Sequence, residues 1–419
     1  MLKLVTPKGV DRKGFELSLD EIAREGAKRM LIQALNLEVE DYINQHLKEV
    51  DESGNRLVVR NGRGRPRKVT IGSGTIEVPA PRVDDKREGK KFSSFILPPY
   101  LRKSPKVESL LPILYLKGLS TNDFKSALVD FLGDGASGLS PASIVKLKKI
   151  WEDEFDQWSK RKITKNYIYV WADGVNVEIR LGEDEKLCLL VIIGVTEEGK
   201  KELIAVESGY RESTESWLAV MRSLVARGMR APLLACGDGA LGFWSALRAC
   251  DGFKTTKEQR CWVHKIANVL DKFPKRLQPK AKELLHEMMR AETKADAEKD
   301  RDQFEKLYND KYPKAVECLL KNWKQLTTYF NFPAAHWVHL RTTNPIESSF
   351  ATVKLRTRVT KGAGSAKAAE AMAFKLLLEC EKKWRVINSV KEIKNLLEGL
   401  EYKDGIMVAT QKHHEVVAS

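Results

Sequence analysis

Tyr167-Ile168-Tyr169-Val170-Trp171-Ala172-Asp173-Gly174 is a β-rich apolar run that closes on a carboxylate followed by glycine. Leu233-Leu234-Ala235-Cys236-Gly237-Asp238-Gly239 closes the same way. Between them Val175 to Arg180 extends the first strand, Leu187 to Val195 is nearly all apolar, and Lys201 to Val206 follows the turn Thr196-Glu197-Glu198-Gly199-Lys200. Ser213 or Thr214 caps a helix to about Arg227, and Phe243 to Cys250 is another. The order is therefore three strands, helix, strand, helix. Strands that are apolar on both faces and separated by helices call for a mixed sheet covered on each side. If the first and fourth strands are neighbours, Asp173 and Asp238 emerge side by side.

A third carboxylate stands in Arg341-Thr342-Thr343-Asn344-Pro345-Ile346-Glu347-Ser348-Ser349-Phe350. Asn344 suits a helix cap and Pro345 the first helical position, where no backbone donor is needed. Glu347, three residues after that cap, has two readings. It reaches back to the cap's amide as a capping box, or it joins the two aspartates. Three carboxylates brought together are unfavourable without a cation and offer the hard oxygen ligands that Mg²⁺ or Mn²⁺ prefers. Two such ions about 3.5–4 Å apart activate a water or hydroxyl nucleophile and stabilise a leaving oxygen of a phosphodiester. Between Asp238 and Glu347 lie 109 positions, too many for a loop, and Lys257 to about Tyr329 reads as charge-rich helix. The expected fold is α/β, a ribonuclease-H-like mixed sheet interrupted by an all-helical insertion.

Length and charge bound the partners. A chain of 419 residues exceeds one ordinary core. Its 72 Lys and Arg against 57 Asp and Glu give a formal charge of +15, which favours a polyanion, most simply nucleic acid. A membrane surface is disfavoured, since no helix carries a wholly basic face and no lipidation motif is present. The longest apolar run, Leu187 to Ile193, is too short to span a bilayer. Six scattered cysteines and an N-terminus without an apolar signal region predict a reducing, cytoplasmic setting.

Ser18-Leu19-Asp20-Glu21 is a capping box opening one or two amphipathic helices to about residue 49, a plausible dimer surface. Arg56 to Gly72 then carries six basic residues and no acidic one. Its centre, Arg63-Gly64-Arg65-Pro66-Arg67-Lys68, resembles an AT-hook, whose arginines enter the minor groove of A·T-rich DNA. A solvated basic linker is the alternative. Val69 to Val83 reads as short strands. Helices over Val107 to Lys117, Thr121 to Phe131 and Ala142 to about Lys160 suit a helix-turn-helix with Lys146 and Lys149 near the start of the third. A helical linker with solvated lysines fits nearly as well. After Glu347 the chain turns basic, with Lys354, Arg356, Arg358 and Lys361 forming a candidate phosphate-binding surface. From Ser389 one more helix and a frayed end are expected.

Trp171-Ala172-Asp173-Gly174, Cys236-Gly237-Asp238-Gly239-Ala240, Gln259-Arg260-Cys261-Trp262-Val263-His264-Lys265 and Arg341 to Glu347 together resemble a Mutator-type bacterial insertion-sequence transposase of the DDE class. The resemblance covers about residues 90 to 385. It implies a catalytic and metal-binding triad of Asp173, Asp238 and Glu347 with two Mg²⁺ or Mn²⁺ ions, and cleavage and strand transfer on double-stranded DNA. It also implies binding of terminal inverted repeats and target, a homodimer or higher homo-oligomer, and a bacterial, nucleoid-associated location. Expected DNA contacts are Arg63, Arg65, Arg67, Lys68, Lys146, Lys149, Arg260, Lys265, Arg341, Asn344, Lys354, Arg356, Arg358 and Lys361. The expected division is a helical region (1–55), a basic linker with short strands (56–105), a helix-turn-helix domain (106–162), the first catalytic part (163–262), the helical insertion (263–340) and C-terminal catalytic helices (341–419). Cys261-x-x-His264 and His336-x-x-His339 have permissible zinc spacings, although packing roles suit them better. A transposase-derived regulator without catalysis and a nuclease without strand transfer are the competing functions.

Overall fold

The computed structural model describes residues 18–116, 141–179, 186–209, 211–239, 241–359 and 362–408, in two compact units divided between Leu147 and Lys148. In the first, α1 (Leu19–Gln45) starts at the expected capping box: Glu21 N donates to Ser18 Oγ at 3.3 Å and Ser18 N to Glu21 Oε2 at 2.7 Å. It is one helix. Strands β1 (Val58–Arg63) and β4 (Pro81–Asp85) pair antiparallel, as do β2 (Arg67–Ile71) and β3 (Gly74–Val78). Alternation along β2 and β3 turns Val69, Ile76 and Val78 inward against Leu35 of α1 and Leu97. A further helix, α2 (Pro105–Leu116), follows. The middle helix expected over Thr121 to Phe131 lies outside the described residues, and α3 (Pro141–Ser159) stands where the third was expected.

The second unit is built on a five-stranded sheet of β5 (Tyr167–Glu178), β6 (Lys186–Thr196), β7 (Lys201–Gly209), β8 (Leu234–Gly237) and β9 (Lys257–Arg260), in the order β7-β6-β5-β8-β9. β5, β6 and β7 are antiparallel in turn, while β8 lies parallel to β5 and β9 parallel to β8. This is the mixed sheet that the strand and helix order predicts. Val170, Ala172, Leu190, Ile192 and Ile204 pack under α4 (Thr214–Ala226) and α5 (Leu241–Ala249), with Trp217, Val220 and Phe243 in the same core. Tyr169 and Trp171 alternate to the other face. There Tyr169 Oη is 2.9 Å from His336 Nδ1 and Trp171 Nε1 donates to His339 O at 3.1 Å.

That second cover comes from α6 (Trp262–Leu270), α7 (Gln278–Arg290), α8 (Lys294–Tyr308), α9 (Pro313–Leu320), the short α10 (Trp323–Leu326) and α11 (Trp337–Leu340), then α12 (Asn344–Val359) and α13 (Ala366–Glu381). Trp262 N donates to Arg341 O at 2.9 Å, tying the beginning of the insertion to its end. One correction concerns Lys257 to Arg260, which the charge-rich pattern assigns to helix and which forms strand β9 instead. Its backbone extends the sheet, and Gln259 is wholly buried with its amide donating to Arg260 O and Leu326 O and accepting from Tyr329 N. After the expected helix, α14 (Lys391–Leu397), comes a hairpin of two-residue strands, β10 (Tyr402–Lys403) and β11 (Ile406–Met407); the frayed end expected beyond lies outside the described residues.

Candidate active site

Register alone assembles the floor of the site. Ala172 pairs with Gly237, and Gly237 with Arg260, across three parallel strands. The next residues, Asp173, Asp238 and Cys261, therefore line up along one edge: β8 and β9 end there, Cys261 N donates to Gly237 O at 2.8 Å, and β5 runs on past Asp173 paired with β6 alone. Carboxyl ends of parallel strands are where α/β sheets carry ligands.

Asp173, Asp238 and a carboxylate not singled out from the sequence, Glu212, offer oxygen atoms within 4.8 Å of one another. Glu212 lies between β7 and α4. β7 runs in the same direction as β5, so its end faces the same edge. The glycine after each aspartate makes room for a neighbour. A Cβ at Gly174 would stand 2.4 Å from Glu212 Oε1, and one at Gly239 would stand 1.3 Å from Arg260 Nη1. Gly174 N also donates to Asp173 Oδ1 at 2.8 Å. Burial first, then the charge of Asp238, pushes Asp173 up to about 7, and the same two causes raise Glu212. A divalent cation reverses that preference by favouring the ionised carboxylates. The donor set is all hard oxygen, and Gly174 lets Glu212 close on the aspartates, so the residues present fit Mg²⁺ or Mn²⁺.

Glu347 belongs to an adjoining group with Cys261 and His264, again within 4.8 Å. Thr343 knits this group together. Its hydroxyl donates to Cys261 Sγ at 3.3 Å, lies 3.4 Å from His264 Nδ1 and makes a short hydrogen bond to Glu347 Oε1. His264 Nδ1 is 3.6 Å from the same Glu347 oxygen. The capping-box reading of Glu347 is thus corrected: the Asn344 amide faces Thr342 Oγ1 at 3.4 Å, and the Glu347 carboxylate turns to Thr343 and His264. His264 is raised to about 9, chiefly by its hydrogen bond with Cys261, helped by the charges of Glu347 and Asp238. Burial would raise the Cys261 thiol, but hydrogen bonds from His264 and Thr343 outweigh it and lower the thiol. Through His264 the two groups share one electrostatic environment.

The two zinc-spaced pairs go separate ways. Cys261 and His264 join Glu347, whereas His336 is held by Tyr169 and lies 3.3 Å from Ser389 O, and His339 Nε2 accepts from Asn388 N at 3.4 Å. Among the basic residues expected on DNA, Arg63, Arg65, Lys68, Lys146, Lys149, Lys354 and Arg358 are exposed, as is Asn344. Lys361 lies outside the described residues. Lys68 and Lys149 pair with Glu77 and Asp153 at 3.6 and 3.3 Å. Others are turned into the fold. Arg67 donates to the carbonyls of Leu97, Pro98 and Leu101. Buried Lys265 bonds Cys318 O and Asn322 Oδ1, Arg341 lies over the rings of Tyr329 and Trp337, and Arg356 is buried in α12. No helix among the described residues is long and apolar enough to cross a membrane.

Comparison with known proteins places the chain among transposases of insertion sequences. The chain is 50% identical over 284 residues, 68% of its length and 87% of the relative's, to the transposase for insertion sequence element IS6120 of Mycolicibacterium smegmatis. It is 47% identical over 283 residues, covering 67% of the chain and 95% of the relative, to the transposase for insertion sequence element IST2 of Acidithiobacillus ferrooxidans. A more distant relative, the transposase for ISRM5 of Rhizobium meliloti, is 22% identical but aligns over 92% of the chain and 94% of its own length. The sequence model of the family described as "Transposase, Mutator family" matches residues 7–386, from the first unit through α13, and the chain belongs to that family.

Proposed function

We propose that this protein is the DNA transposase of an insertion sequence, with a ribonuclease-H-like catalytic core in which Asp173, Asp238 and Glu347 hold Mg²⁺ or Mn²⁺, two ions per site. The observation that carries the reading is the register of β5 against β8, which delivers two aspartates from neighbouring parallel strands to one edge, with Glu347 in the adjoining group. When bound, such ions lower the barrier to phosphodiester attack by activating the entering oxygen and stabilising the leaving one. The chain's own residues set the stage. β5 and β8 fix the two aspartates on backbone that cannot slide without breaking the sheet. Thr343 and His264 hold the Glu347 carboxylate in one direction, as partners behind a ligand do. Exposed Lys354 and Arg358 on α12, about two and three turns beyond Glu347, offer charge for phosphates flanking the reacting bond. The half-buried Arg67 and Arg341 and the buried Lys265 brace the frames from which the exposed cations project.

In the first unit the exposed Arg63, Arg65 and Lys68 are read as contacts to the element's DNA; α3, which runs across the division at Leu147 and Lys148, is read as the third helix of a helix-turn-helix. The division drawn from the sequence, with catalytic segments 163–262 and 341–419 around an insertion at 263–340, is retained. Terminal inverted repeats and target DNA are the partners, a homodimer or higher homo-oligomer the working form, and the bacterial nucleoid the location.

The decisive experiment separates charge from shape. Glu347→Gln keeps an acceptor oxygen and removes the negative charge. It should fold and bind transposon-end DNA as the parent does while losing Mg²⁺-dependent cleavage and strand transfer by orders of magnitude. Asp173→Asn and Asp238→Asn should behave alike, and the losses should not add, since one missing ligand already disables the site. Substantial Mg²⁺-dependent cleavage by the Gln variant would remove Glu347 from the site.

A further inference from the structure

Glu212 is held in place from several directions. Its side chain lies over Gly174, where a Cβ would come within 2.4 Å of Oε1, and its carbonyl oxygen lies over Gly242, where a Cβ would come within 2.0 Å. The residue before it, Arg211, has φ of 58°, a left-handed conformation that a non-glycine residue adopts at some cost. The residue after it, Ser213, caps α4, its hydroxyl accepting from Ser216 N at 3.2 Å. A surface glutamate needs none of this. The outcome is a third carboxylate beside Asp173 and Asp238, three residues beyond the end of β7, which runs in the direction of β5.

An independent feature shows that the pocket is built for a charged occupant. Arg260 is 92% buried (8% exposed), its Nε has no hydrogen-bond partner among the described residues, and its Nη1 lies against Gly239, beside Asp238. A buried arginine is costly unless something anionic meets it. An anionic group such as a phosphodiester can enter beside three carboxylates only if a cation comes with it. The arginine and the carboxylates therefore point to the same pair of ligands.

We propose that Glu212 is a further metal-holding residue, so that the first divalent cation is bound by Asp173, Glu212 and Asp238 before Glu347 is engaged. This deepens the reading of Asp173 and Asp238 as a cation site and rests on it. In the absence of metal the three like charges repel, so removing one should not destabilise the fold; a glutamate with a purely structural role would behave in the opposite way.

The test uses Mn²⁺ with the full chain, reading affinity by titration calorimetry or by the loss of the free-ion electron paramagnetic resonance signal, alongside thermal melts in chelator. Glu212→Gln should weaken Mn²⁺ binding at least ~10-fold, as Asp173→Asn does, with a metal-free melting temperature equal to or above that of the parent. Gly174→Ala keeps Glu212 but places a methyl where its oxygen lies, and should weaken Mn²⁺ by the same order. If Asp173→Asn loses Mn²⁺ while both Glu212→Gln and Gly174→Ala bind it as the parent does, Glu212 is no ligand and the two-aspartate site stands without it. If Asp173→Asn also binds as the parent does, the cation site itself falls and Glu212 falls with it. A metal-free melting temperature lowered by Glu212→Gln, with unchanged Mn²⁺ affinity, would equally overturn the proposal in favour of a structural role.

Discussion

Thr343 ties together the whole Glu347 group, because one hydroxyl serves Cys261, His264 and Glu347. Thr343→Val keeps the β-branched shape and removes those bonds. It should lower Mg²⁺-dependent cleavage ~10–100-fold while leaving end binding intact, and Thr343→Ser should restore most of the loss. Equal cleavage rates for the parent and the Val variant in a single-turnover assay would exclude this. At this scale the sequence is informative where a carboxylate closes an apolar run. Asp173 and Asp238 are legible for that reason, and the glycines after them mark crowding by Glu212 and Arg260. Glu212 obeys the same rule, a carboxylate just beyond a strand, but β7 continues past Val206 to Gly209 through Glu207 and Ser208, which look like loop residues. The role of Thr343 has no local signature, since its partners come from a segment about eighty positions earlier.

Among the elements, β9 departs furthest from its sequence pattern. Lys257-Glu258-Gln259-Arg260 has neither an apolar alternation nor a β-branched residue, and it becomes a strand because β8 supplies a partner and Gln259 satisfies main-chain groups of α10 and the turn after it. Tertiary hydrogen bonding here outweighs local propensity. Gln259→Leu would leave Tyr329 N without its partner and bury an apolar branch among carbonyls. A loss of about 2–3 kcal/mol in unfolding free energy is expected, read from the denaturant midpoint at constant slope. A loss below about 0.5 kcal/mol would mean that water replaces the amide. By contrast β5, β6 and β8 are legible throughout, because strands covered on both faces need apolar residues at every position.

For the molecule as a whole, charge and pH give two further expectations. A formal charge of +15 predicts DNA affinity that falls steeply with salt. Replacing exposed Lys354 and Arg358 together by Ala should reduce the slope of log affinity against log salt by about two if both meet phosphates. An unchanged slope would leave them solvated. Stability should respond to acid through His339, which burial, aided by the charge of Lys201, pushes down to about 4. The unfolded chain takes up this proton near pH ~6.5 and the folded chain only near 4, so the unfolded state binds more protons between them. The contribution is complete above about pH 6.5 and is lost as pH falls toward about 4, by about 1–2 kcal/mol once solvent screening of a half-buried ring is allowed for. His339→Gln should flatten that part of the curve, and a curve of unchanged steepness would count against the assignment.

β7 forms one border of the sheet, and its outward amides are taken by carboxylates of α13: Leu203 N donates to Glu381 Oε2 at 2.7 Å and Ser208 N to Glu370 Oε1 at 2.8 Å. During synthesis the five strands leave the ribosome well before that helix does. A nascent or prematurely terminated chain would therefore present an open border to any other strand at hand, the usual route to aggregation. Stop codons placed before Ala366 should give insoluble product, whereas those placed after Val408 should not. The gene's tolerance of truncation is thus set by a helix that lies beyond Asp173, Glu212, Asp238 and Glu347.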